Sequence, residues 1–273
     1  MHPAPVLSII TINLNNGLGL RKTLKSIESQ TWQKFESIII DGGSTDNSVA
    51  VIREFAGRDR SPIRKWVSEK DHGLYHAQNK GIREASGRYL LFLNSGDFLY
   101  KKQALHNLKP DEWATDLIYG NIIFQHKYHR VRSRMPEDIT AAHMFYSTLM
   151  HPATFIKREL FDIIGLYRED FRICSDYYFF TKAILSYNVS RTYKKNAVTV
   201  YAMDGVSSNP KNFALQDAER RTTQLEFFSK EMLIEIAKKG SPLDETFYTA
   251  FTAVPKYFVR KFKYLWGQIR QSR

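Results

Sequence analysis

The sequence predicts an α/β protein built on a mostly parallel, doubly wound sheet and continued by C-terminal helices. Three observations carry this. Two short, β-rich apolar runs end in acidic turns: Phe35-Glu-Ser-Ile-Ile-Ile40 leads into Asp41-Gly-Gly-Ser-Thr-Asp46, and Tyr89-Leu-Leu-Phe-Leu93 into Asn94-Ser-Gly-Asp97. Runs that are apolar on both faces read as buried parallel strands. Segments with helical spacing alternate with them through short loops, as in βαβ units.

In order, residues 6–12 predict a first strand and Asn13–Gly17 a turn; Leu20, Leu24 and Ile27 then recur at helical spacing up to Gln30. After the strand at 35–40, Val49, Ile52 and Phe55 mark a helix closed by Gly57, with Asp46 as its N-cap. Residues 64–67 predict a third strand ending in Ser68-Glu-Lys-Asp-His-Gly73. Leu74–Ala85 reads as a helix with Gly87 as its stop, and residues 88–93 as the fourth strand. Beyond residue 100 the alternation becomes irregular. Leu117–Phe124, Lys127–Arg134, Ala153–Ile156 and 192–203 read as extended, Asp176–Leu185 as a helix, and the chain from Asn212 onward as helical.

The 273 residues divide into a catalytic domain over 1–210, with a ligand-binding half (1–100) and a second half (101–210), and a helical extension over 211–273. The net charge of +12 admits nucleic acid, anionic lipid or phosphate-bearing small molecules as partners, and no nucleic-acid motif is present. With one cysteine, Cys174, no intramolecular disulfide can form. No stretch reaches the roughly 20 apolar residues that cross a bilayer. These features predict a cytoplasmic protein, peripheral at the inner face of the cell membrane. The segment 246–273 supports the membrane contact: it has no acid, carries Lys256, Arg260, Lys261, Lys263, Arg270 and Arg273, and repeats Phe258, Phe262, Leu265 and Ile269 at helical spacing.

Ligands of open α/β sheets bind beyond the carboxyl ends of the strands. Asn13, Asp41, the Glu69/Asp71 pair and the Asn94–Asp97 loop each follow one of the four strands, so one edge gathers four polar tips. A carboxylate beside a glycine, as in Asn94-Ser-Gly-Asp97, suits a hydrated Mg²⁺ or Mn²⁺ shared with phosphate oxygens. Two enzyme alternatives fit less well. Gly17-Leu-Gly19 with Asp41 imitates a dinucleotide-binding fingerprint, but Lys22 holds the third glycine's place. A nucleotidyltransferase needs a basic glycine-rich loop after the first strand, and Asn13-Leu-Asn-Asn-Gly17 is not basic. A non-enzymatic protein binding anionic surfaces through its basic tail is the third alternative.

The motifs together resemble the family 2 inverting glycosyltransferases of the GT-A fold, closest to the branch that builds exopolysaccharide and O-antigen repeat units. The matching stretches are Leu7-Ser-Ile-Ile-Thr11, Asp41-Gly-Gly-Ser-Thr-Asp46, Ser68-Glu-Lys-Asp71, Gly73-Leu-Tyr75, Asn79-Lys-Gly81, Phe92-Leu-Asn-Ser-Gly-Asp97, His151-Pro-Ala-Thr-Phe155, Gly165-Leu-Tyr167, Ser175-Asp-Tyr177 and Gly205-Val-Ser207. The resemblance implies a hexosyltransferase using a nucleotide sugar, UDP-linked, and a saccharide or lipid-linked saccharide acceptor. It implies that Thr11, Asn13, Asp41, Asp71 and Glu69 line the nucleoside pocket, that Asn94 and Ser95 approach the ribose and diphosphate, and that Asp97 holds the metal. Asp176 would be the general base, where the plain alternative is a helix N-cap; His151 would face the acceptor, where the plain alternative is a buried, hydrogen-bonded histidine. The chain departs from the family pattern at Gly42, Asn94, Gly96 and Ser175, where relatives often carry acids. It also has Gln78 where an arginine often meets the diphosphate, leaving that contact to Lys80 or a basic residue of the second half.

Overall fold

The computed structural model describes residues 5–239; the basic segment 246–273 lies outside the described residues. The first half is a run of βα units. Strand β1 (Leu7–Asn13) leads to helix α1 (Gly17–Glu28), β2 (Phe35–Asp41) to α2 (Ser48–Ala56), and β3 (Ile63–Ser68) to α3 (Leu74–Glu84), followed by β4 (Tyr89–Phe92). Strand β1 lies between β2 and β4, parallel to both, and β2 pairs in parallel with β3. The register places Asn13 opposite Asp41 and Asp41 opposite Ser68, so three strand tips end level.

The second half extends the sheet with mixed directions. It contributes β5 (Phe98–Leu99), β6 (Leu117–Gln125), β7 (Arg130–Ser133), β8 (Thr154–Lys157) and β9 (Arg191–Ala202). The order is β3-β2-β1-β4-β8-β6-β9-β5, with β7 also on β6. Strand β8 inserts antiparallel between β4 and β6, while β9 runs parallel to β6. One edge of β6 is used twice: Leu117–Tyr119 pair with β8, and Ile122–Gln125 with β7. The parallel, doubly wound arrangement therefore describes the sheet up to β4, and antiparallel pairing enters beyond it. The whole is a mixed α/β sheet that bridges the boundary near residue 100.

Helix α4 (Ala141–Tyr146), the short α5 (Leu160–Ile163), α6 (Ser175–Leu185), α7 (Phe213–Phe227) and α8 (Lys230–Lys239) complete the described chain. Phe228 and Ile236 are buried in the same apolar cluster as Leu91, Tyr119 and Phe180, so the start of the C-terminal extension packs on the catalytic core. No helix among the described residues is long and apolar enough to cross a membrane.

Two local readings change. Asn13 is the last residue of β1 rather than the start of a turn, which brings its side chain to the sheet edge. Gly87 does not stop α3: the helix ends at Ala85, whose backbone is already extended. Gly87 instead lies against β1, where its N–H donates to Ser8 Oγ at 2.8 Å. A Cβ there would stand 2.5 Å from the Ser8 nitrogen and 2.7 Å from the Leu7 carbonyl carbon. Gly87→Ala should therefore destabilise the fold by about 1–3 kcal/mol, read as a lower denaturant midpoint with an unchanged slope.

Candidate active site

Asp41 is fully buried at the end of β2. Its Oδ1 accepts from Asn13 Nδ2 (2.7 Å) and Ser44 Oγ (2.6 Å), and its Oδ2 from the Ser44 N–H (3.0 Å) and Ser68 Oγ (2.6 Å). Four donors occupy the lone-pair sites of one carboxylate. Burial pushes its pKa upward, but the hydrogen bonds from Ser44, Ser68 and Asn13 prevail and leave it below the usual carboxylate value. The three strand tips and the Gly42–Ser44 loop are thus tied to one charge. Asp46 acts similarly one turn later, accepting from the Gly17 N–H of α1 and the Ser48 N–H of α2. Gly17, half of the imitated dinucleotide fingerprint, packs against Asn47 at the start of α2.

Buried polar atoms with no hydrogen-bond partner among the described residues include Thr11 Oγ1 and Asn13 Oδ1 toward the end of β1, Asn94 Oδ1 after β4, and both amide atoms of Gln78 on α3. Buried polar groups left unpaired are costly, so a set of them at a sheet edge marks a place for a ligand or water. Asp71 and the exposed Glu69 both pair with Lys80, at 2.8 and 2.7 Å, and Asp71 also lies 3.2 Å from His76 Nδ1. Burial lowers the Lys80 pKa, but its hydrogen bonds to Asp71 and Glu69 outweigh this and raise it. Lys80 is thereby committed to the third strand tip.

The Asn94–Asp97 loop is shaped from beneath by Thr23, a buried residue of α1. Thr23 Oγ1 donates to the Asp97 carbonyl (2.6 Å) and accepts from the Gly96 N–H (3.0 Å). Gly96 has φ +106°, a conformation that favours glycine. Asp97 is 5% exposed. Its Oδ1 accepts from the Ala202 N–H of β9 at 2.8 Å. Burial pushes its pKa up to about 8; the Ala202 N–H opposes this, Asp204 adds to it, and Lys22 opposes it. Asp97 is thus a carboxylate whose charge the protein alone does not compensate.

Asp176 stands in the first turn of α6, but the N-cap is Cys174. Its Oδ1 lies 2.9 Å from Tyr75 Oη of α3, and its Oδ2 3.8 Å from His151 Nδ1. His151 is buried, stacks on Phe92 (ring centroids 4.5 Å apart) and meets Tyr167 Oη through Nε2 at 2.8 Å. Burial lowers its pKa to about 4, so it is neutral at pH 7. Burial also pushes the Tyr167 hydroxyl upward, so Tyr167 keeps its proton and shares the bond with the neutral ring at Nε2, while Nδ1 faces Asp176. His151 is therefore buried behind Asp176. Cys174 is buried too, its thiol pushed up to about 12 chiefly by burial, which leaves it inert as a nucleophile.

Tyr201, on β9, joins the two acidic positions. Burial raises its hydroxyl pKa, and the charges of Asp97 and Asp176 both add to the shift. Its Oη bonds Ser207 Oγ at 2.5 Å, which draws the Gly205–Ser207 turn across it. Asp97 meets β9 through Ala202, the residue after Tyr201, and the charges of Asp97 and Asp176 both act on the Tyr201 hydroxyl.

A family model described as "Glycosyl transferase family 2" matches residues 8–171, more than half of the chain. The chain belongs to glycosyl transferase family 2. A "PGL/p-HBAD biosynthesis glycosyltransferase" of Mycobacterium bovis is 32% identical over 211 residues, covering 76% of this chain and 80% of the relative. An uncharacterized glycosyltransferase of Mycobacterium tuberculosis is 34% identical over 190 residues, covering 68% and 71%. Among solved structures, TarS of S. aureus in complex with UDP-GlcNAc superposes with a TM-score of 0.64 at 16% identity, covering 92% of this chain and 74% of that one. A mannosyltransferase from Pyrobaculum calidifontis in complex with GDP-Man and Mn²⁺ gives 0.59 at 16% identity, covering 92% and 69%. These likenesses establish a GT-A type fold, and the family establishes a glycosyltransferase.

Sequence reasoning missed Thr23, Ser44, Ser68 and Tyr201 as site-forming residues of this glycosyltransferase. Ser44 and Ser68 stand inside quoted motifs, but both bind Asp41, Ser68 from the neighbouring strand; Thr23 and Tyr201 read as helix and strand positions. The Asp41 frame makes a pH-dependent contribution to stability. Its folded pKa is depressed, so the contribution is present above the unfolded value of 3.8 and is lost as pH falls through the folded value. Asp41→Asn should be less stable than wild type at pH 7, and the gap between their melting temperatures should narrow as pH falls below 3.8.

Proposed function

We propose that this enzyme transfers a hexosyl group, with inversion, from a UDP-linked sugar to a hydroxyl of a lipid-linked saccharide during surface polysaccharide assembly. The observation that supports the reading is a pair of acids held differently: Asp97, buried with a single backbone N–H for its Oδ1, and Asp176, held by Tyr75 at 2.9 Å. One acid belongs to the loop at the end of the donor-binding half; the other stands on α6 in the second half. The complexes of TarS with UDP-GlcNAc and of the Pyrobaculum mannosyltransferase with GDP-Man support a nucleotide-sugar donor.

The nucleoside is assigned to the edge built by Thr11, Asn13, Asp41 and Asp71, with Glu69 at the rim. Asp41, whose four acceptor positions are filled, orders this pocket, and the unpartnered Thr11 Oγ1 and Asn13 Oδ1 offer the free polar atoms. Asn94, Ser95 and the buried amide of Gln78 are assigned to the ribose and diphosphate.

The residues fit a divalent cation of the Mg²⁺ or Mn²⁺ class. No group of three or more His, Cys, Asp or Glu side chains suited to a metal converges among the described residues. Asp97 is instead a single buried carboxylate whose charge lacks compensation. Ions of this class commonly take one or two carboxylates and complete their shell with substrate phosphates and water. Asp97 would hold such an ion; when bound, it would offset charge on the departing diphosphate.

Asp176 is assigned as the base. It takes the proton of the acceptor hydroxyl while that oxygen attacks the anomeric carbon from the face opposite the nucleoside diphosphate. Tyr75 and the Nδ1 side of His151 orient the carboxylate, so His151 serves the acceptor site through Asp176. Contact of residues 246–273 with an anionic inner membrane face would bring the enzyme to a lipid-linked acceptor.

Thermal-shift screening against nucleotides and nucleotide sugars, with and without Mn²⁺, tests the donor reading: a UDP-sugar should raise the melting temperature more in the presence of Mn²⁺. Asp97→Ala should abolish that metal-dependent increment; an unchanged increment would remove Asp97 as the ligand. Asp176→Asn should lower the transfer rate by about 10²–10⁴-fold while donor binding, read by titration with UDP and Mn²⁺, stays intact.

A further inference from the structure

Helix α7 reaches the base from behind through Glu219. This carboxylate is 7% exposed and touches no cation among the described residues. Its Oε1 accepts from the Arg172 N–H at 2.7 Å, and its Oε2 from the Ile173 and Cys174 N–H groups at 3.0 and 2.8 Å. Cys174 is the N-cap of α6, and Asp176 follows two residues later. In a capping box, the carboxylate that satisfies the N-cap N–H comes from the same helix. Here it comes from another helix and takes three consecutive amides. A negative charge at that end also suits the dipole of α6.

We propose that Glu219 is a positioning residue for Asp176. This rests on the reading of Asp176 as the base. The link runs through the Ile173 peptide. In the peptide plane that joins Ile173 to Cys174, Glu219 Oε2 holds the N–H, which belongs to Cys174, at 2.8 Å, and Tyr75 Oη lies 2.6 Å from the carbonyl, which belongs to Ile173, and 2.9 Å from Asp176 Oδ1. The Tyr75 hydroxyl has one proton to divide between these two acceptors. The position of the Ile173 carbonyl therefore governs how firmly Tyr75 holds the base. Glu219 fixes that carbonyl, and with it the approach of Asp176 to an acceptor hydroxyl.

Helix α7 has independent anchors. Arg220 donates to the Ser147 carbonyl at 3.0 Å and packs over Tyr177, and Gln224 Nε2 donates to the Phe145 carbonyl at 3.0 Å. Removing the Glu219 charge thus leaves α7 docked while freeing the loop before α6. This separates positioning from simple attachment of the helix.

The test compares Glu219→Gln, Tyr75→Phe, Gln224→Ala and Asp176→Asn, using nucleoside diphosphate release with the donor selected by thermal shift. An amide places an NH₂ group against backbone donors, so Glu219→Gln should lose part of the clamp. Its kcat should fall about 10–100-fold, as expected for a base displaced by about 1 Å. Its affinity for UDP with Mn²⁺ should be unchanged, and amide exchange over residues 172–177 should accelerate. Tyr75→Phe should show the same split between kcat and donor affinity. Gln224→Ala, which loosens α7 without touching the loop, should keep wild-type kcat. If Glu219→Gln does not fold, Glu219→Asp, which keeps the charge and shortens its reach, takes its place with the same expected split. Wild-type kcat in the Glu219 variant while Asp176→Asn is inactive overturns the proposal. So does an equal loss in Gln224→Ala, which would make Glu219 an attachment point only. Full activity in Asp176→Asn would instead remove the base assignment on which the proposal stands.

Discussion

The hydrogen bonds that converge on Asp41 set the geometry on which the donor edge depends. A buried carboxylate is tolerated only when its charge is met by donors, and Asp41, at the end of β2, takes them from the ends of β1 and β3 and from the loop after β2. That requirement brings the tips of β1, β2 and β3 level and fixes where the polypeptide must turn. It also leaves Asp41 with little capacity for anything else. The free valences at this edge belong to its neighbours Thr11 and Asn13.

The other acids are satisfied to different degrees, and the gradation parallels the roles proposed for them. Asp97 receives one backbone N–H on Oδ1 and remains under strong desolvation, which fits the cation proposed for it. Asp176 has Tyr75 on one oxygen and stays partly accessible, with 22% of its side chain exposed, as a proton acceptor must. Glu219, 7% exposed, takes three backbone N–H groups, against the four donors of Asp41. The carboxylates that tie loops and strand ends together have three or four donors, and those proposed for chemistry have fewer.

Much of this was legible in the sequence because local pattern determines it. The first four strands, the helices between them and the acids at their ends follow from apolar runs, turn residues and spacing, and the extents of β6, β8 and β9 were close as well. Pairing in the second half was not legible: the insertion of β8 between β4 and β6 pairs Tyr89 with Lys157 and Leu117 with Ile156, far apart in the chain, and no local signal records it. Gly87 looked like a helix stop because a close approach to Ser8 leaves the same single letter. Thr23 carries no local signal, since its partners lie in the loop after β4. Tyr75 was visible within a motif, but its bond to Asp176 spans half the domain.

The stretch matched by the family model closes at residue 171, immediately before the first amide held by Glu219. The acid of α6, the loop that leads to it and the helix that grips that loop all lie downstream. Asp176 and Glu219 therefore lie together on residues 172–239, while three contacts cross back over the boundary: Tyr75 and His151 meet Asp176, and Ala202 meets Asp97. A chimaera joined at residue 171 would keep Glu219 with the loop it grips but would have to match those three crossings, whereas a junction between α6 and α7 would separate the loop from the carboxylate that holds it.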